Sequence, residues 1–181
     1  AASAPRYLSR QVSFKNLYFG SQTDKGIYMT NVGFINTSWD DIEVETATNY
    51  GIHLLFDGAS VAGTNQSSWR NIRIANTQNT TGYAIALNNT SATADAIITF
   101  YNLTIEGNMG GGLYTHGVKA RCYDCWFEIN GQGTGLPDLA LDGNGVVQSI
   151  VTLYNSYFSV GHANQANVRG KFLASNVRLV L

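Results

Sequence analysis

Four glutamates are the residues of this chain best suited to acid–base chemistry. Glu106 and Glu128 lie 22 residues apart, whereas Glu43 and Glu45 lie two apart. Two carboxylates on neighbouring strands repel each other, which raises one pKa and separates an acid from a base. Paired carboxylates break glycosidic bonds, with a close pair for retention and a wider pair for inversion. The alternative is a solvated surface pair whose repulsion is relieved by side-chain rotation.

A basic residue accompanies the other two glutamates. Glu43 and Glu45 fall on one strand, and Arg73 falls one repeat later. Opposite charges on adjacent strands form cross-strand pairs. A salt-bridged ladder explains this group most simply, and the same three residues are candidate substrate contacts beside the Glu106–Glu128 pair.

Aromatic side chains in outward positions are candidates for contact with a sugar. An aromatic ring stacks on the apolar face of a pyranose, and its polar tip bonds to hydroxyl groups. Packing under a loop or at a subunit interface is the competing interpretation. The candidates are Trp126, Tyr157, Tyr114 and Tyr18.

A six-residue pattern decides which elements position these side chains. It reads apolar, any, Asn or Asp, apolar, any, apolar, and seven copies are spaced by 25, 30, 31, 22, 31 and 21 residues. Variable spacing around a constant core indicates insertions in loops between repeated strands. The central residues of the seven copies are Asn16, Asp41, Asn71, Asn102, Asp124, Asn155 and Asn176.

Each central Asn or Asp predicts a bend in the chain. Apolar residues flank it at positions −2 and +1, which breaks the strict alternation of a single strand. Asn and Asp tolerate the left-handed backbone region that such a bend needs. A further strand follows about ten residues later, beginning for example at Gly26, Gly51, Gly82 and Gly112.

Three short strands per repeat predict an all-β, single-chain right-handed parallel β-helix of about seven coils. We expect one domain over residues 1–181, with a lead-in over 1–10 and coils over 11–181. The bare apolar ends suggest a fragment of a longer chain, since an uncapped solenoid exposes its core. An antiparallel sandwich or jelly roll also has turns every 8–12 residues, but it does not require one pattern seven times.

Stacking the repeats predicts which residues face inward and which face outward. Three inward stacks are Phe14, Trp39, Trp69, Phe100, Cys122 and Leu153; Leu17, Ile42, Ile72, Leu103, Cys125 and Val177; and Ile27, Ile52, Tyr83, Leu113 and Leu139. Two outward columns, two and four residues after the bend, are Tyr18, Glu43, Arg73, Thr104, Trp126, Tyr157 and Arg178; and Gly20, Glu45, Ala75, Glu106, Glu128, Ser159 and Val180.

The sequence predicts no cofactor and no metal site. The histidines His53, His116 and His162 are scattered among the repeats, and no glycine-rich loop precedes a helix as a phosphate site requires. Cys122 and Cys125 have the spacing of a redox motif, but both positions face inward, so they are interpreted as core thiols, with a disulfide as the alternative.

Composition excludes several classes of partner. Eleven Lys and Arg against 12 Asp and Glu give a net charge of −1, which disfavours a nucleic-acid-binding surface. No apolar run approaches the roughly 18 residues of a membrane span, so membrane insertion is not expected. The 19 glycines, 18 asparagines and 16 threonines are typical of a chain rich in strands and turns.

The corner asparagines, three-strand coils and Asn/Thr/Gly-rich loops resemble the pectin-lyase-like β-helix proteins, and most of all the bodies of bacteriophage tailspikes. The resemblance covers about residues 10–181 and rests on repeat shape. It implies a homotrimer on a virion tail or outside the cell. It also implies binding of a bacterial capsule or O-antigen polysaccharide, and cleavage by a depolymerase or endoglycosidase.

Other members of that superfamily fit less well. The only segment of this chain that resembles a polygalacturonase motif is Thr115-His116-Gly117, and the resemblance is loose. Pectate lyases bind calcium with a cluster of aspartates, and at the corresponding outward positions this chain has Asp142 alone. Two alternatives to a tailspike remain open. One is a structural β-helical shaft or adhesin segment without an enzyme site. The other is a secreted polysaccharide lyase, in which Arg73 would act with Tyr114 or His116.

Overall fold

The structure, a computed structural model, describes most of the chain. The described residues are 7–10, 12–30, 32–56, 67–90, 96–132, 134–143, 148–159, 168–169, 172–175 and 178–180. Side chains are described in these ranges except at 7–10, at 32–35 and beyond 159.

Every regular element in the described ranges is a β-strand. The β-branched and aromatic residues that fill the repeats favour strands because they pack well on a pleated surface. The strands are β1 (Tyr7–Arg10), β2 (Ser13–Gly20), β3 (Lys25–Thr30), β4 (Val32–Ile35), β5 (Ser38–Glu45), β6 (Tyr50–Phe56), β7 (Ser67–Ala75), β8 (Tyr83–Asn89), β9 (Ala96–Glu106), β10 (Gly111–His116), β11 (Val118–Tyr123), β12 (Trp126–Glu128), β13 (Leu139–Asp142), β14 (Ile150–Tyr154), β15 (Tyr157–Ser159), β16 (Val168–Arg169), β17 (Phe172–Ser175) and β18 (Arg178–Val180).

The strands form a parallel β-helix, which confirms the predicted fold class. A ten-stranded sheet contains β2, β5, β7 and β9, followed by the pairs β11/β12, β14/β15 and β17/β18. A six-stranded sheet runs in the order β3-β6-β8-β10-β13-β16. All pairings are parallel, and each strand pairs with the equivalent strand of the next repeat.

The number of coils differs slightly from the seven predicted. Within the described residues, six coils contribute a strand to each of the two large sheets, and the seventh repeat contributes only β17 and β18 to the ten-stranded sheet. In addition, β1 pairs with β4, so a strand lies within the segment expected to be a lead-in.

The predicted bends are present at every described corner residue. The backbone φ lies between 48° and 56° at all of them, which is the left-handed region. Strands β2, β5, β7 and β9 run through the bend, whereas later strands stop at it. Asn71 donates to Asp41 (2.8 Å), Asn102 donates to Asn71 (3.0 Å), and Asn155 donates to Asp124 (2.5 Å). The confirmed corners are Asn16, Asp41, Asn71, Asn102, Asp124 and Asn155; Asn176 lies outside the described residues.

A second left-handed corner, not predicted from the sequence, follows each of the first five corners by five residues. In the first four coils its amide N–H donates to a carbonyl of the next coil, as in Thr46 N to Ala75 O (3.1 Å) and Gly107 N to Glu128 O (2.9 Å). The residue types vary, so no repeated letter marks the position. The residues are Ser21, Thr46, Asn76, Gly107 and Ile129.

The core consists of side chains stacked along the solenoid axis. The rings of Trp39 and Trp69 are stacked with centroids 4.4 Å apart, and Phe14 lies 4.5 Å from Trp39. Five of the six members of this first predicted stack are fully buried, and Phe14, in the first coil, is half-buried. The second stack is confirmed from Ile42 to Cys125, but Val177 lies outside the described residues.

The third predicted stack is wrong at one position. Ile85, not Tyr83, pairs with both Ile52 and Leu113, so the register is shifted by two residues. Tyr83 pairs with Gly111 and stacks on Tyr114 instead of joining the core cluster. The sequence alignment placed Gly82 opposite the glycines that precede the equivalent strand in other coils. The residue in register with those glycines is Ala84.

Both cysteines are buried core residues, as predicted, and they are free thiols. They lie on either side of the corner at Asp124. The interaction with Cys125, together with burial, raises the pKa of Cys122 well above its usual value. The pair therefore fills space in the core rather than forming a redox centre.

Candidate functional site

Strand register places the candidate residues other than Tyr114 in two straight outward columns, as the repeat predicted. Positions two residues after the corner are paired from coil to coil, and so are positions four residues after it. Adjacent members are about 4.8 Å apart along the axis. We call these two columns the glutamate face. Its members with described side chains are Tyr18, Glu43, Arg73, Thr104, Trp126 and Tyr157, and Gly20, Glu45, Ala75, Glu106, Glu128 and Ser159.

Arg73 is the centre of the charged part of this face. Its Nε and Nη2 donate to Glu106 Oε1 at 2.8 and 2.6 Å, and its Nη1 donates to Glu45 Oε1 at 2.6 Å and to Glu43. The guanidinium therefore joins carboxylates from the two coils on either side of its own. The hydrogen bonds with Glu45, Glu106 and Glu43 raise the pKa of Arg73 above its already high value.

Tyr18 extends this network to the first coil. Its hydroxyl donates to Glu45 Oε2 at 3.2 Å, and the ring is 64% exposed. The hydrogen bond with Arg73 lowers the pKa of Glu45, and the hydrogen bond to Glu45 raises the pKa of Tyr18. The ladder interpretation of Glu43, Glu45 and Arg73 thus describes their contacts, with Glu106 and Tyr18 as additional members.

Glu106 and Glu128 are direct neighbours in strand register. Their carboxylates have different partners, because Glu106 accepts from Arg73 whereas Glu128 Oε2 accepts from the indole Nε1 of Trp126 at 2.8 Å. An acid and a base need different surroundings to act in sequence. The arrangement provides different partners, and the catalytic role of the pair stays a prediction.

Trp126 and Tyr157 form an aromatic pair beside Glu128. The ring centroids are 3.9 Å apart, the planes are inclined by 25°, and Trp126 is 41% exposed. Tyr157 covers one face of the indole. A sugar ring can therefore stack only on the indole face towards Thr104, or contact the exposed edge.

A shallow depression of about 320 Å³ lies at the other end of the glutamate face. The corner residues form one wall and Tyr18, Glu43 and Arg73 form the other, so hydroxyl, amide and carboxylate groups converge on it. The repeat predicts each lining residue to be an outward, corner or core residue, but it does not predict that these residues enclose a depression. The lining residues are Asn16, Leu17, Tyr18, Asp41, Ile42, Glu43, Asn71 and Arg73.

Tyr114 lies apart from the other candidates. It is on β10 of the six-stranded sheet, where it stacks on Tyr83 at 5.1 Å and its hydroxyl is 3.4 Å from His116 Nδ1. Arg73 lies on β7 of the ten-stranded sheet. The fold therefore places the lyase candidates Tyr114 and His116 on a different sheet from Arg73.

His53 belongs to a separate aromatic cluster on the six-stranded sheet. Its ring lies 4.6 Å from Tyr50 and 5.3 Å from Tyr28, and its Nε2 is hydrogen-bonded to Asn88. Burial, and secondarily the charge of Lys25, lowers the pKa of His53. In the part of the chain that the structure describes, no group of three or more His, Cys, Asp or Glu could hold a metal ion; His162 lies outside that part.

No family model, no curated protein and no solved structure matches the chain. The described residues also contain no helix long and apolar enough to cross a membrane.

Proposed function

We propose that this β-helix binds a bacterial surface polysaccharide along the glutamate face, in the manner of a bacteriophage tailspike. The observation that carries the proposal is the straight outward column that runs from Tyr18 to Tyr157. A polymer with repeating sugars is matched by a solenoid, because successive coils present contacts at a constant spacing along one axis.

The two ends of the column supply the two kinds of contact that sugars need. At one end, the depression beside Tyr18 and Arg73 offers hydrogen-bond donors and acceptors to hydroxyl groups. At the other end, Trp126 and Tyr157 offer apolar ring surface. About five coil spacings, roughly 24 Å, separate Tyr18 from Tyr157, which suits an oligosaccharide rather than a single sugar.

Cleavage of the bound polymer by Glu106 and Glu128 is the finer part of this proposal. Their adjacent register supports a retaining geometry, in which the carboxylates lie about 5 Å apart. Because Arg73 bonds to Glu106, that residue suits the nucleophile, whereas Glu128 beside the indole suits the acid. If the wild type releases reducing ends from the polymer and both Glu106→Gln and Glu128→Gln abolish that release, the protein is a hydrolase. Ultraviolet absorbance from a new double bond would instead indicate a lyase.

Binding is tested with an array of bacterial capsule and O-antigen polysaccharides. We expect Trp126→Ala to weaken binding to the recognised glycan at least about tenfold, or about 1.4 kcal/mol. The matched control is Tyr28→Ala, since Tyr28 is an exposed aromatic residue (50%) on the six-stranded sheet. Equal losses in the two variants, or no bound glycan, would contradict the proposal.

A structural shaft is the second candidate, and one observation favours it. The carboxylates around Arg73 bond to that residue, and Trp126 bonds to Glu128, so the face satisfies much of its own polarity. A shaft predicts stable protein with no affinity for any glycan on the array.

The resemblance to tailspikes also leads us to propose a homotrimer on a virion tail or outside the cell. Light scattering from the full chain tests the assembly, with three chain masses as the expected result and a monomer as the contrary one.

A further inference from the structure

A second outward face of the ten-stranded sheet lies before the corner, on the other side of the corner ladder from the glutamate face. The residues immediately before each corner form one continuous column. Lys15 and Arg70 flank Asp40 at 3.7 and 3.8 Å, and the Arg70 guanidinium lies 5.0 Å from the Tyr101 ring centroid. The column continues through Tyr101, Tyr123 and Tyr154.

The three tyrosines form a stack of parallel rings. The centroids of Tyr101 and Tyr123 are 5.2 Å apart with planes inclined by 11°, and those of Tyr123 and Tyr154 are 4.6 Å apart with planes inclined by 6°. The rings cover each other's faces, so the stack presents edges and hydroxyl groups. Tyr101 and Tyr154 remain 38% and 37% exposed.

Positive charge is concentrated beside this stack. On β7, β9, β11 and β14, all of which the structure describes, the outward positions before the corner hold Arg70, Lys119 and Arg121 but no carboxylate. Arg121 is exposed and forms no ion pair with any described residue. The corner residue Asp124, three residues after Arg121, accepts a hydrogen bond from Asn155.

A small depression of about 140 Å³ lies next to the tyrosines and combines apolar and cationic walls. Ile97 and Ile150 supply apolar surface, Lys119 and Arg121 supply charge, and Ala120 and Thr152 complete the lining. We call this surface, together with Tyr101, Tyr123 and Tyr154, the tyrosine face. The two faces of the ten-stranded sheet therefore carry opposite charge, acidic after the corner and basic before it.

We propose that the tyrosine face is a second binding site, and that its ligand is a linear polysaccharide bearing carboxylate groups. Arg121, with its planar fork of donors, pairs with a carboxylate. The tyrosine hydroxyls, about 4.8 Å apart along the axis, bond to sugar hydroxyls, and Ile97 and Ile150 contact the apolar edges of the rings. Arg70 lies two coils back, an offset of about 10 Å along the axis, and meets the next charged sugar.

A nucleic acid fits this face less well than a charged glycan. Single-stranded nucleic acids bind by stacking bases on open aromatic faces. Here both faces of Tyr123 are covered by other tyrosines, and Tyr101 lies between Arg70 and Tyr123.

The test measures binding of the full chain to hyaluronan and to carboxyl-reduced hyaluronan, which differ only in the charged group. We expect binding to hyaluronan, at least tenfold weaker binding to the reduced polymer, and further weakening at high salt. Arg121→Gln should lower the affinity for hyaluronan about tenfold. The control is Lys15→Gln, which removes a cation from the column before the corner, four coils away from Arg121, and should leave the affinity unchanged.

Several outcomes would overturn the proposal. Equal affinity for hyaluronan and the reduced polymer, or an unchanged affinity of the Arg121→Gln variant for hyaluronan, would show that no carboxylate–arginine contact holds the ligand. Tighter binding of single-stranded DNA or dextran sulfate would assign the face to another polyanion. Dissociation of an oligomer by Tyr123→Ala would make the face a subunit contact. Trp126→Ala should leave hyaluronan binding intact, which separates this site from the one on the glutamate face, and thermal unfolding verifies that each variant is folded.

Discussion

At the scale of single residues, the corners show how one backbone conformation is met by different side chains. The first corner is always Asn or Asp in the described coils, and these residues tolerate positive φ. The second corner accepts Ser, Thr, Asn, Gly and Ile with φ between 52° and 65°. Thr46 and Ile129 are β-branched and therefore strained in the left-handed region, but Thr46 Oγ1 is hydrogen-bonded to Ser21, whereas Ile129 has no polar side-chain atom and is the poorest match.

Replacing Ile129 should stabilise the protein. Asn76 has the same position in the third coil with φ 55°, so we expect Ile129→Asn to raise the free energy of unfolding by about 1 kcal/mol through relief of backbone strain. Urea unfolding measures the change. Ile150→Asn is the control, since Ile150 is equally exposed (39% against 38%) but lies in an ordinary strand. An equal gain in both variants would contradict the strain argument.

At the scale of elements, a strand that bends through a corner joins two faces of the solenoid. Strand β9 runs from Ala96 to Glu106 through Asn102 without interruption, and its two halves pair with β11 and β12. The bend turns the tyrosine face and the glutamate face in different directions. The amide ladder along the corner therefore sets the relation between the two proposed binding surfaces.

Two substitutions of Asn71 separate the two roles of a corner residue. Asn71→Gly keeps easy access to positive φ but loses the hydrogen bonds with Asp41 and Asn102. Asn71→Ala loses these hydrogen bonds and also the easy access to positive φ. We expect Asn71→Ala to cost about 1–2 kcal/mol more than Asn71→Gly, which is the left-handed penalty for a residue with a Cβ atom. Equal costs in urea unfolding would mean that the bend needs no left-handed residue.

At the scale of the whole molecule, stability comes from contacts between neighbouring coils. The aromatic stack through Phe14, Trp39 and Trp69 links the first three coils, and Trp39 is completely buried. Phe127 and Phe158 stack in the same way at 4.7 Å in the later coils. A gap in such a stack cannot be filled from the side because the sheets enclose it.

Removing a ring from the middle of the stack should be far more costly than removing one from the surface. We expect Trp39→Ala to lower the free energy of unfolding by about 3–5 kcal/mol. Trp126→Ala removes the same side chain from an exposed site, so it should cost about 0.5–1.5 kcal/mol through the lost contact with Tyr157. Comparable losses in chemical denaturation would show that the interior stack is not the main source of stability.

The fold class and the membership of both outward columns are predictable from the amino-acid sequence alone. The reason is local: one six-residue pattern combines strand periodicity with a residue that tolerates positive φ, and parallel stacking in register repeats it. The column from Tyr18 to Tyr157 follows directly, as does the pairing of Glu106 with Glu128. Where the third coil has no glycine at the usual position, the sequence predicted the wrong register and assigned Tyr83 in place of Ile85.

The contacts between side chains, in contrast, follow from the three-dimensional structure and not from the repeat. A register states that Arg73 lies beside Glu43 and Thr104, but it does not state that its guanidinium reaches Glu45 and Glu106 on both sides. It does not reveal that Tyr101, Tyr123 and Tyr154 stack, since ring orientation depends on rotamers and neighbours. The depressions, and the segregation of acidic and basic faces across the corner, likewise arise from the direction in which the bent strands point their side chains.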